Sequence, residues 1–161
     1  PEDLKKLTFY DDALLPLFKL FKVEKAMDEA LGKRVWLKSG GYLVIEPTEA
    51  LCVIDVNTGK YSGKKNLHDT IMKINTEAAV QIARQLRLRN LSGIIIIDFI
   101  DMETEEDRQE LLTVLSRALS KDPVKTSVVE ITKLNLVEVT RKKIRRPFHE
   151  QAALIKGKAE S

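Results

Sequence analysis

The chain has one cysteine, no long apolar run and few aromatic residues. A lone thiol, Cys52, can neither close an internal disulfide nor supply the cysteines of a structural zinc site, so the sequence points to a reducing compartment and to no zinc in this chain. Cys52 itself reads as a small buried hydrophobe. No stretch approaches the roughly 20 apolar residues that a helix needs to cross a bilayer, and no signal-peptide pattern opens the chain. A cytoplasmic protein without a membrane span is expected. The first residue is Pro1 rather than methionine, from which an excerpt of something longer is expected. Aromatic residues make up 6% of the chain, which leaves few rings for stacking on nucleobases. The glycines of Ser39-Gly40-Gly41 and of Gly59 to Lys65 are too sparsely patterned for a P-loop or a dinucleotide fingerprint.

What is present suits one α/β domain. The chain has 161 residues, 43% of them hydrophobic, enough for a core of ordinary size. Its formal net charge is +3, yet five basic residues fall in Arg141-Lys142-Lys143-Ile144-Arg145-Arg146, so the rest of the chain is net −2. Positive charge concentrated in this way can attract a polyanion. A solvated strand end would look the same.

Apolar residues at helical spacing between Asp11 and Leu31, namely Leu14, Leu17, Phe18, Phe21, Val23, Ala26, Met27 and Ala30, predict a packing helix despite Pro16. Arg34 to Lys38 and Tyr42 to Glu46 alternate around a Ser39-Gly40-Gly41 turn, which predicts a hairpin, and Ala50 to Val56 adds a third neighbouring strand. After a loop from Thr58 to Asn66, a helix should run from about Leu67 to Arg89 with Ile71, Ile74, Ala78, Ile82 and Leu86 on its buried stripe. Asn75 falls inside that stripe, where an amide needs hydrogen-bond partners. Ile94 to Ile97 has no polar face and predicts a central strand covered on both sides. Thr104 is the expected N-cap of a further helix, with Glu105, Glu106 and Asp107 in its first turn. Two strands, Ser127 to Ile131 and Leu134 to Val139, should follow. Residues 147–161 read as a polar tail, a weakly held helix, beyond a single subdomain of residues 1–146.

Two apolar runs end in carboxylates: Cys52 to Asp55, continuing to Asn57, and Ile94 to Asp98, continuing to Asp101. A carboxylate where a buried strand emerges is costly unless it is paired, hydrogen-bonded or bound to a metal. Strand alternation puts Asp55 and Asn57 on one face. Asp98 ends a strand, at the sheet edge where open α/β folds gather ligands. Should the two strands be neighbours, two carboxylates converge, which with waters and a substrate phosphate is the usual way of holding Mg²⁺. A strand-ending Asp is also a common turn former, and Asp101 fits that description better than Asp98. His68 and His149 stand in polar contexts and read as solvated.

The wording of the sequence goes further. Ser39-Gly40-Gly41 with Ile45-Glu46-Pro47-Thr48-Glu49-Ala50-Leu51, then Ile54-Asp55-Val56-Asn57, Asn75-Thr76-Glu77-Ala78-Ala79, Ile82-Ala83-Arg84-Gln85-Leu86-Arg87-Leu88-Arg89-Asn90-Leu91, Ile97-Asp98-Phe99-Ile100-Asp101-Met102 and Thr140-Arg141-Lys142-Lys143 closely resemble the ribonuclease E/G family, in order, over roughly residues 15–146. The resemblance implies a catalytic subdomain of deoxyribonuclease-I-like fold, a mixed β-sheet flanked by helices. It implies Mg²⁺-dependent endonucleolytic cleavage of single-stranded RNA to 5′-phosphate and 3′-hydroxyl ends, with Mn²⁺ a possible substitute. By the same resemblance Asp55 and Asp98 bind the metal, and Asn57 assists metal-bound water or the scissile phosphate. The family's RNA-binding OB-fold domain and 5′-end sensor, and the cysteine-bearing zinc link that joins its subunits, are not in this sequence, so an oligomeric parent would assemble through regions absent here. Lys60, Lys64, Lys65, Arg141, Lys142, Lys143, Arg145 and Arg146 are the expected contacts to the RNA backbone, giving affinity without sequence choice. Two alternatives stand beside this reading. One is a non-catalytic RNA-binding or assembly module that keeps the fold; the other is a metal-dependent phosphatase or deoxyribonuclease, since phosphodiester chemistry does not by itself specify the sugar.

Overall fold

The computed structural model describes residues 2–59 and 67–159. Lys60, Lys64 and Lys65 lie outside the described residues. The chain divides into two compact units, residues 1–31 and 32–161, where the sequence reading groups 1–146 and sets 147–161 apart.

In the first unit a 3-10 turn, Glu2–Lys6, precedes two short helices, α1 (Leu17–Leu20) and α2 (Val23–Leu31). The single packing helix expected here is instead two pieces, because Lys22 between them takes a left-handed φ of 53°. Nor do the apolar side chains of this stretch form a buried stripe: Leu14, Leu17, Phe18, Phe21 and Met27 are all exposed.

The second unit is an α/β fold built on a mixed six-stranded sheet. Its elements are β1 (Arg34–Trp36), β2 (Tyr42–Pro47), β3 (Leu51–Asn57), α3 (Leu67–Leu88), β4 (Gly93–Asp98), α4 (Glu105–Leu119), β5 (Thr126–Ile131), β6 (Leu136–Arg141) and α5 (Phe148–Ala159). The strand order is β1-β2-β3-β4-β6-β5. Only the β3/β4 pair is parallel, as the intervening helix α3 demands, and the remaining pairs are antiparallel.

Alternation along the strands decides which side is core. Leu43 and Ile45 of β2, Ile54 and Val56 of β3, Ile95 and Ile97 of β4, and Val137 and Val139 of β6 point one way. They meet Ile74, Ala78, Ile82 and Leu86 of α3 and Leu111 and Leu115 of α4 in one cluster. Both long helices therefore cover the same face of the sheet. The small residues Ala78, Ala79 and Ala83 let α3 lie close to it, and Thr104 caps α4 by accepting the Asp107 N–H at 3.1 Å, as its sequence predicts.

The other face of the sheet is open among the described residues. Ile94 is 50% exposed and Ile96 half-buried, so β4 is central in order but covered on one side only, against the expectation of burial on both. An all-apolar strand reads as doubly covered; here its outward isoleucines stand beside the outward residues of β3.

Candidate functional site

Asp55 and Asp98 are register partners across the parallel β3/β4 pair. Partners in adjacent strands share a face and sit about 4.8 Å apart by backbone spacing, so both carboxylates rise side by side from the open face. Asn57, two residues beyond Asp55, shares that face. Its amide Nδ2 donates to Asp55 Oδ2 at 2.8 Å, which turns the amide oxygen away from the carboxylate and leaves it able to accept from a water or to meet a cation. Burial pushes the Asp98 carboxyl above its ordinary value, and the neighbouring charges of Asp55 and Asp101 push it further. A crowd of carboxylates with this repulsion is relieved by a cation.

The donor set fits a hard divalent ion bound by two carboxylates and waters. Among the described residues no three His, Cys, Asp or Glu side chains converge into a cage, and Asp101 acts on Asp98 as a nearby charge.

Buried parts behind the sheet hold this arrangement. Asn75 of α3, fully buried, donates to the Ile100 carbonyl at 2.8 Å and accepts the Ile100 N–H at 3.1 Å, clamping the chain just after Asp98. This is the structural role that its place in the apolar stripe predicts. Glu77, on the same helix, accepts the backbone N–H groups of Lys38 and Ser39 at 2.6 and 2.9 Å. Burial alone would raise its carboxyl, but the bonds from Ser39 and Lys38 hold it below the ordinary value. The β1/β2 turn thus anchored brings Gly41 against the end of β3, where a Cβ would stand 2.7 Å from the Asn57 carbonyl oxygen.

Two sequence readings change. Arg141 is not available to RNA: it is buried, its Nε meets Asp122 Oδ2 at 2.8 Å, and its Nη1 donates to Asn90 Oδ1 and the Leu91 carbonyl, both at 3.0 Å. Lys142, Lys143, Arg145 and Arg146 are exposed, yet they leave the sheet at the far end from the aspartates. Asp98 pairs with Leu136 at the start of β6, whereas Gly93 pairs with Arg141 at its end, a separation of about 17 Å along the strand. His68 is exposed, as expected, and its Nε2 also lies 2.9 Å from Asp107 Oδ2, tying the start of α3 to the start of α4. Asp107, bonded by Thr104 and then by His68, is held below the usual carboxylate range. Cys52 is buried as expected, and burial lifts its thiol to about 11.

The structure also adds residues that composition hid. Trp36 and Tyr42, register partners on β1 and β2, stand on the open face beside Asn57, with Arg34 against both rings. On the helix side, away from the aspartates, Lys73, Arg84, Arg87, Arg117 and Lys121 line a groove of about 990 Å³ between α3 and α4. Both assemblies depend on register and helix pairing, which a one-dimensional scan for charge runs does not see.

These features define an α/β domain that presents an aspartate pair and an adjoining amide at neighbouring strand ends on an uncovered sheet face. The profile of the ribonuclease E/G family matches residues 1–144. The chain is 55% identical over 145 residues to ribonuclease G of Escherichia coli strain K12, a match covering 90% of this chain and 29% of that protein. It is 54% identical to ribonuclease G of Haemophilus influenzae with the same coverage. It is 46% identical over 135 residues to ribonuclease E of Nostoc sp., covering 84% of this chain and 20% of the relative. The chain belongs to the ribonuclease E/G family, and it spans less than a third of the length of these relatives.

Proposed function

We propose that this chain carries the hydrolytic centre of a Mg²⁺-dependent endoribonuclease that cuts single-stranded RNA to 5′-phosphate and 3′-hydroxyl ends in the cytoplasm, Mn²⁺ being able to replace Mg²⁺. The observation that carries the reading is the side-by-side register of Asp55 and Asp98 on an open face, with Asn57 bonded to the first of them. Family membership supports the reaction class.

Asp55 and Asp98 would hold the metal, which when bound polarises a phosphoryl oxygen and acidifies its water. Asn57 fixes one Asp55 oxygen through its N–H, so the other stays free, and the amide oxygen can orient a water or the scissile phosphate. The open sheet face lets an extended strand lie across the pair without entering a closed pocket, which suits a single strand better than a small phosphate ester. Water attacks phosphorus and the bond to the 3′ oxygen breaks, leaving the phosphate on the downstream fragment. Lys142, Lys143, Arg145 and Arg146 would meet the backbone only some way along the RNA, given their position at the opposite end of the sheet strands.

Cleavage of a single-stranded RNA with added Mg²⁺ is the test. Asp55→Asn or Asp98→Asn, checked for folding by circular dichroism, is expected to lower the rate by about 100-fold or more. Mn²⁺ titration of the same variants should show weakened binding. Full cleavage and unaltered Mn²⁺ affinity in both variants would remove the assignment; cleavage of DNA or of small phosphate esters in preference to RNA would replace it with the phosphatase or deoxyribonuclease reading.

A further inference from the structure

On the open face, the row next to the aspartates is aromatic. Trp36, Tyr42 and Asn57 are register partners across β1, β2 and β3, and the adjoining row is Arg34, Val44, Asp55 and Asp98. The Trp36 and Tyr42 rings lie 5.2 Å apart, centre to centre, at 57°. The Arg34 guanidinium sits 4.5 Å from the Tyr42 ring centre and 5.8 Å from that of Trp36.

Trp36 is the only tryptophan in a chain of 6% aromatics, and it is 63% exposed on a short edge strand. An indole placed for packing would face the core, as Val35 beside it does. Arg34 makes no ion pair among the described residues. A cation with no carboxylate partner, held against two rings, is the combination that single-stranded nucleic acids meet: a flat surface for a base and a positive group for its phosphate. Tyr42 is one strand and Trp36 two strands from Asn57, which puts them diagonally about 8 and 12 Å from Asp55 by backbone spacing. A strand whose phosphate lies at the aspartates brings a neighbouring base over these rings.

We propose that Trp36, Tyr42 and Arg34 form a base-stacking site that seats a nucleobase of single-stranded RNA next to the bond to be cut. This rests on the ribonuclease reading for its substrate, but its geometry does not need the metal. The site accepts any base, because every base offers a π-face, and it excludes duplex, whose bases are already stacked. It gives the chain a hold on RNA at the aspartates, where the basic run at the far end of the strands does not reach.

Trp36 is its own probe. The 161-residue chain is titrated in EDTA with a fluorescein-labelled single-stranded oligoribonucleotide, with the same sequence as a duplex, and with inorganic polyphosphate, while indole emission and label anisotropy are followed. The expected result is saturable quenching by the single strand alone. Trp36→Ala should weaken single-strand binding by about five-fold or more, and Trp36→Phe, which keeps a ring, should restore most of it. Equal quenching by polyphosphate or duplex, binding without quenching, equal affinity of Trp36→Ala, or no binding at all would each overturn the proposal. The outcome is separable from that of the metal assignment. Asp55→Asn that still cleaves sinks the assignment while quenching persists, and lost quenching with intact metal-dependent cleavage sinks only the stacking site.

Discussion

Asn75 shows how one buried amide can govern a surface several residues away. Its two bonds to Ile100 satisfy both backbone groups of the residue that leads the chain off β4, so the direction of Asp98 is fixed from behind the sheet. Asn75→Ala leaves those groups without their partner, and we expect a loss of about 2 kcal/mol in urea unfolding, together with slower RNA cleavage as Asp98 loses its support. At this scale the sequence is informative where alternation decides. Asp55 and Asn57 could be put on one face from spacing alone, and Asn75 inside a stripe had to be bonded. It is uninformative where a run of like residues divides its duties: nothing in Arg141-Lys142-Lys143 says that the first side chain turns inward to Asp122 while the next two face water.

Among the elements, the β1/β2 turn has a part that its length of a few residues does not suggest. Glu77 holds its N–H groups, and Gly41 uses the missing side chain to approach the Asn57 carbonyl. Gly41→Ala would press a methyl group on that oxygen and on Ile74, whose methyl lies 2.9 Å from the added Cβ. The expected result is about 1–3 kcal/mol of destabilisation by thermal unfolding and, under the proposed function, slower cleavage as Asn57 shifts. The hairpin, the long helix α3 and the capped helix α4 were legible because turn glycines, helical periodicity and the Thr104 cap are local signals, whereas the place of β6 between β4 and β5 follows from long-range pairing. Two further features were not legible. Four consecutive isoleucines carry no mark of which face is covered, and the helical spacing between Asp11 and Leu31 carries no mark of the left-handed break at Lys22.

For the molecule as a whole, Asp122 and Arg141 join the end of α4 to the last sheet strand, and Asn90 at the end of α3 joins the same knot through its bonds to Arg141 and to the carbonyls of Arg145 and Arg146. Burial alone would raise the Asp122 carboxyl, but Arg141, the Val124 N–H and Thr126 bring it below its ordinary 3.8. A depressed pKa gives stability that is complete above that ordinary value and is lost as pH falls through the lower folded one. Asp122→Asn, which removes the carboxylate charge beside a buried guanidinium, should therefore cost about 3–5 kcal/mol near pH 7, and the gap to the unaltered chain should narrow below pH 3.8 in urea melts taken across the acid range.

The one-sided sheet separates two kinds of change. Along every central strand the residues that hold the helices alternate with residues that hold nothing behind them. A substitution at Trp36 or Tyr42 alters what can rest on the front without asking any core side chain to repack. Proteins built on this sheet can therefore acquire new preferences for what lies on the front by single, thermodynamically cheap replacements, while the backing that keeps Asp55 beside Asp98 is inherited unchanged.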